Sequence, residues 1–89
     1  MTTSLIRFWF VFESNVSSRA KLIPQVGVTA WTREDAELLV RERLFQLEGL
    51  PPILQIIEDV DVSQLDENHV QRNMSPPNLR GVWYPQGYQ

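Results

Sequence analysis

The chain has 89 residues, of which 43% are hydrophobic and 21% charged, a balance far from the signature of a disordered chain that leaves room for one packed core rather than two. Its 8 Lys and Arg against 11 Asp and Glu give a formal charge of −3; with the cations scattered along the chain, nucleic acid is excluded as an expected partner. No cysteine is present, so disulfides and thiolate metal sites are excluded too, and stability must come from packing.

The first apolar run, Leu5 to Phe12, is interrupted by Arg7 and followed by Glu13 with no small-residue cleavage pattern. It is too short to span a bilayer and lacks the layout of a signal peptide, so a cytosolic protein with no membrane partner is expected. Ile6, Phe8, Phe10 and Phe12 make one continuous apolar face, while the odd positions mix Arg7 and Glu13 with Trp9 and Val11. That alternation predicts a central strand with one face fully covered and the other partly. Ser14 to Lys21 is polar and reads as a loop. Val26 to Trp31 predicts a second strand, with Pro24 at its start where a missing donor is tolerable, and the two strands should pair as an antiparallel hairpin.

A helix follows. Thr32 is placed to cap it, Asp35 stands where a capping-box acid would, Glu34 adds charge to the first turn, and Gly49 with Pro51-Pro52 ends it. At helical spacing Ala36, Leu39, Val40, Leu44 and Leu47 form the stripe expected to lie on the sheet, with Arg43 inside it. Leu38 and Phe45 project from the opposite side among charged neighbours. Either a loop or the C-terminal segment folds over them, or they belong to a contact with a partner or a second copy of the chain.

Ile53 to Ile57 predicts a third strand, continued by Glu58-Asp59-Val60-Asp61-Val62 with acids at its exit. Ser63 to Arg72 is expected to hold a short helix capped by Ser63 or Asp66. Asn73 to Asn78 reads as loop, and Leu79 to Tyr84 as a short final strand ended by Pro85 and Gly87. The order β-β-α-β with a fourth strand describes a single α+β domain over residues 1–89: a two-layer sandwich with a three- to four-stranded, mainly antiparallel sheet and one main helix on one face.

Four groups of residues could carry chemistry. The acids Glu58, Asp59, Asp61, Asp66 and Glu67, followed by His69, could ligate a cation or support a small metal-dependent or His-dependent enzyme. Their spacing matches neither the calcium-loop pattern nor a zinc signature. His69 is the only imidazole, but no nucleophile elbow accompanies it, so no catalytic residue, metal ligand or cofactor is assigned. Trp9, Trp31, Trp83, Tyr84 and Tyr88, with Arg7 and Arg80 near two of them, could stack bases, yet net charge argues against this and core packing is the plainer use. The tail from Arg80 to Gln89 is too aromatic to remain free in water; its expected docking target is the Leu38/Phe45 patch or the face of the first strand around Trp9 and Val11.

The stretches Arg7-Phe8-Trp9-Phe10, Gly27-Val28-Thr29-Ala30 before Glu34-Asp35-Ala36, Glu58-Asp59-Val60-Asp61-Val62 and Arg80-Gly81-Val82-Trp83-Tyr84-Pro85 together resemble a group of small, uncharacterised bacterial proteins of similar length. The resemblance implies a bacterial, cytosolic protein and supplies no functional residues to carry over. The reading that follows is a non-enzymatic protein-binding or interaction module, immunity-type or regulatory in its sharper form. Glu58, Asp59 and Asp61 would steer a basic partner, while Trp9, Leu38, Phe45 or Trp83 would anchor it; self-association is the other form of partner.

Overall fold

A computed structural model of the chain describes residues 4–13, 23–47, 49–65, 67 and 70–87. Its elements are β1 (Ile6–Phe12), β2 (Gln25–Ala30), α1 (Arg33–Leu44), β3 (Ile53–Glu58) and β4 (Gly81–Tyr84), with 3₁₀ turns at Val62–Gln64 and Gln71–Asn73. The four strands form one sheet in the order β3-β1-β2-β4, and every neighbouring pair is antiparallel. This is the α+β arrangement expected from the sequence. The first aromatic strand lies inside the sheet, hairpinned to β2 with Phe8 opposite Val28 and Phe10 opposite Val26.

Strand alternation sorts the side chains. Phe8, Phe10 and Phe12 of β1 join Val26, Val28, Ala30 and Val82 on the helix side of the sheet, where Ala36, Leu39, Val40 and Leu44 of α1 close over them. A large buried aliphatic or aromatic side chain contributes about 1.5–3 kcal/mol on burial, so this cluster is the main source of stability. The odd positions face the other way. Trp9 packs with Trp83, Val60 and Val70, flanked by Val11, Val62, Leu65, Met74 and Tyr84. The segment after β3 therefore lines the second face as an irregular cover, and the sheet is apolar on both sides.

The helix start follows the sequence closely and its end does not. Thr32 is extended at the cap, and its side chain accepts the Asp35 N–H at 3.1 Å. Asp35 accepts in turn from the Trp31 N–H, one residue before the cap, and from Arg80 Nε at 2.9 Å. Helical geometry ends at Leu44, and Phe45 takes φ −129, ψ 41. Leu47, expected on the sheet-facing stripe, is thus carried beyond the helix and is fully exposed. Phe45, expected on the solvent side, swings back into the core and meets Phe12 edge-on at 5.4 Å. Gly49 closes the turn at φ +74, its N–H donating to the Phe45 carbonyl at 2.9 Å, as its place before Pro51 suggested. In place of the short helix expected over Ser63 to Arg72 stand two separate 3₁₀ turns, the first capped by Asp61 rather than by Ser63; Asp66 lies outside the described residues.

The tail docks where the second of its two expected targets lay. Trp83 and Tyr84 pack on Trp9, with ring centroids 5.9 and 5.4 Å apart; Tyr88 lies outside the described residues. Trp83 lies across Gly27 so closely that a Cβ there would come within 2.5 Å of its ring. The outer edge of β4 is occupied by the preceding segment. Ser75 N–H donates to the Trp83 carbonyl at 2.7 Å, Gln86 N–H to the Asn73 carbonyl at 2.9 Å, and the buried Thr29 hydroxyl to the Pro77 carbonyl.

Arg80 ties the entry of β4 to the start of α1 through both of its bonds to Asp35. Its guanidinium holds the Asp35 carboxyl below its ordinary value. A carboxylate whose folded pKa is depressed stabilises the fold above its unfolded pKa, near pH 4, and loses that contribution as pH falls through the lowered value. In Arg80→Ala the acid-side loss of melting temperature should be shallower than in the wild type, with a small deficit in melting temperature at pH 7. Thermal melts from pH 7 to pH 2 check both.

Candidate functional site

With α1 on one face of the sheet, the aromatic cover on the other and the 73–77 segment along β4, the backbone edge left open among the described residues is that of β3. Its outward atoms follow from register. Val60 N–H donates to the Arg7 carbonyl and Glu13 N–H to the Pro52 carbonyl, while Phe12 N–H donates to the Pro24 carbonyl on the β2 side. Odd residues of β1 therefore address β3, and even residues address β2. Gln55 and Ile57, opposite Val11 and Trp9, bond inward, so Ile56 and Glu58 direct their N–H and C=O groups away from the sheet.

The side chains along this edge are unusually apolar for solvent. Leu54, the extra residue where the register shifts opposite Val11/Phe12, is 63% exposed, and Ile57 is 38% exposed. Ile56 shares the helix side with Phe10 and packs partly on the main core.

Acids stand at the strand's exit. Glu58, Asp59 and Asp61 are all exposed. Asp59 takes φ +55, a left-handed conformation that Asp tolerates better than most residues, and this lets Val60 return to bond Arg7. Asp61 accepts from both the N–H and the hydroxyl of Ser63, at 3.0 and 2.7 Å. Those bonds hold its carboxyl below the ordinary range, so it stays charged at neutral pH.

Of the residues expected to anchor a partner, three are structural. Trp9, Phe45 and Trp83 are at most 5% exposed, which places them in the two cores and not on the surface of the folded chain. Leu38 is 39% exposed. With Glu34, Glu37, Arg41 and Leu50 it lines a shallow groove of about 420 Å³ beside the helix. Leu50 lies at the entry to β3 and the acids at its exit, separated by the strand's length, about 17 Å at the usual rise per residue. The groove and the acidic end are therefore two features, not one site.

His69 lies outside the described residues, and among the described residues no group of three or more His, Cys, Asp or Glu side chains converges as a metal site would. A second depression of about 250 Å³, next to β4, is lined by Pro76, Leu79, Arg80, Gly81, Val82 and Trp83; its one ionic side chain, Arg80, is already paired with Asp35. Trp83 Nε1 is buried without a hydrogen-bond partner among the described residues, which counts against stability and not toward chemistry. No helix among the described residues is long and apolar enough to cross a membrane. No family model matches the chain, and neither a curated protein nor a solved structure is significantly similar to it.

Sequence reasoning located the acids but not the edge beside them. Leu54, Ile56 and Ile57 read as an ordinary strand, because whether a strand is central or peripheral depends on pairings between distant segments. The usable signal was indirect. A helix-length connection between β2 and β3 permits them to run in the same direction, which is how they come to flank β1 and leave β3 outermost.

Proposed function

We propose that this protein is a non-enzymatic protein-interaction module, bacterial and cytosolic, whose contact surface is the β3 edge with its acidic exit. One observation carries the reading: an open run of backbone donors and acceptors, flanked by exposed Leu54 and Ile57 and leading directly into three exposed carboxylates. An unpaired edge supplies affinity through main-chain bonds, exposed aliphatic groups add desolvation, and clustered acids raise the encounter rate with a basic surface. An immunity-type or regulatory role would use such a surface.

Capture from bacterial lysate, with bound proteins identified by mass spectrometry, tests this. A basic protein retained by the wild type should be lost, or retained at least tenfold less, with the Glu58→Ala/Asp59→Ala/Asp61→Ala variant. Identical capture by both baits removes the acidic exit from the account.

A further inference from the structure

Strand edges left open in native proteins are normally protected by charge, a bulge, proline or a covering segment. The two edges of this sheet differ in this respect. At β4 the 73–77 segment supplies the cover. At β3, among the described residues, protection is confined to the ends: Pro51 and Pro52 precede the strand, Leu54 is bulged, and Glu58, Asp59 and Asp61 follow. Between them Gln55 to Glu58 keeps regular register with β1 and offers the N–H and C=O of Ile56 and Glu58 to a neighbour.

We infer that this edge accepts an extended segment of another protein as a fifth strand, antiparallel to β3, with Lys or Arg in its N-terminal part and aliphatic or β-branched residues after them. This rests on the interaction reading above and names the partner's chemistry. The orientation follows the sheet, whose neighbours are all antiparallel. An antiparallel newcomer begins opposite the acids and ends opposite Leu54, so its cations fall beside Glu58, Asp59 and Asp61. Its apolar side chains fall beside Ile56 on the helix side and Ile57 on the other.

Charge also selects against a second copy of this chain paired about Ile57. Pairing two β3 edges about Ile57 would set Ile56 opposite Glu58 of the other copy and bring Glu58 and Asp59 of both into one short ladder, between molecules that each carry −3. Like charges so placed repel. No ion pair among the described residues involves Glu58, Asp59 or Asp61; Asp61 is held by Ser63, and Glu58 and Asp59 are exposed.

The test is a titration of the full chain with synthetic peptides, followed by NMR of the β3 amides. The first peptide, Lys-Arg-Lys-Val-Thr-Val-Thr-Val, is compared with its reverse-order counterpart and with one carrying Glu in place of the cations. The first should shift and protect the Ile56 and Glu58 amides and bind at least tenfold more tightly than either control. Ile56→Pro removes one outward N–H without removing a bond to β1 and should weaken binding at least tenfold; because the Ile56 side chain also packs partly on the main core, its melting temperature is expected to fall and is measured alongside. Should that variant fail to fold, Glu58→Lys/Asp59→Lys/Asp61→Lys takes its place and should invert the preference toward the Glu peptide. Equal binding of all three peptides, absence of binding at millimolar peptide, or shifts confined to the Leu38 groove would each overturn the inference. Concentration-dependent dimerisation through β3, seen by sedimentation, would overturn it in favour of a second copy. A lysate partner lost with the acidic triple alanine variant but retained by Ile56→Pro would leave the interaction reading standing and remove strand addition alone.

Discussion

Trp83→Ala is expected to lower the free energy of unfolding by about 3–5 kcal/mol, the cost typical of deleting a buried large aromatic side chain. The ring is 1% exposed and is the common neighbour of Gly27 and Trp9. It is one of four buried residues in the smaller cluster, so its loss cannot be filled by collapse of many others. The cover formed by Val60, Val62, Leu65, Val70 and Met74 would lose the surface on which it rests. Trp83→Phe should cost much less, because it keeps most of the apolar area and removes an indole N–H that has no partner among the described residues. Urea denaturation of the three proteins checks the order, with Leu47→Ala, at a fully exposed position, as a control expected within about 0.5 kcal/mol of wild type.

Gly27→Val should be the second severe substitution, costing about 1–3 kcal/mol or preventing folding. Valine suits a strand by propensity, so a local reading predicts improvement. Packing decides against it. A Cβ at this position would stand 2.5 Å from two carbons of the Trp83 ring, and β2 cannot retreat because it is bonded to β1 on one side and β4 on the other. Combining Gly27→Val with Trp83→Ala should therefore cost less than the sum of the two, since the second change removes the obstacle created by the first. A double-mutant cycle reads this coupling directly.

These two residues also show what was legible in the sequence. The alternation of Phe8, Phe10 and Phe12 and the Thr32 cap are local signals, and each forecast its element because the physics is contained within a few residues; the Gly49 stop did not, since the helix ends at Leu44. Gly27 appeared only as a small residue in a strand; its partner stands 56 positions later. Phe45 and Leu47 exchanged environments for a related reason. Helical periodicity places them correctly only while the helix continues, and it ends at Leu44. The acids at 58, 59 and 61 were visible as a charged run. Their standing beside an open edge became apparent only with the order β3-β1-β2-β4, a product of long-range pairing.

Burial separates anchors from scaffolding in the same way. Trp9, Phe45 and Trp83 have the composition of binding hot spots, yet a chain this short needs its largest aromatics for its own core. The exposed Leu54 and Ile57 are weaker signals in sequence and stronger ones in three dimensions, because they flank main-chain groups with no partner among the described residues.

Amide hydrogen exchange along β3 tests the openness of that edge most directly. In dilute protein the N–H groups of Gln55 and Ile57, bonded to β1, should be protected, while those of Ile56 and Glu58 exchange near the rate of unstructured chain, giving alternation at single-residue spacing. A bound partner strand should slow Ile56 and Glu58 and leave Gln55 and Ile57 protected. Uniform protection of all four in the free protein would contradict the account, because the edge assigned to a partner would then already be occupied.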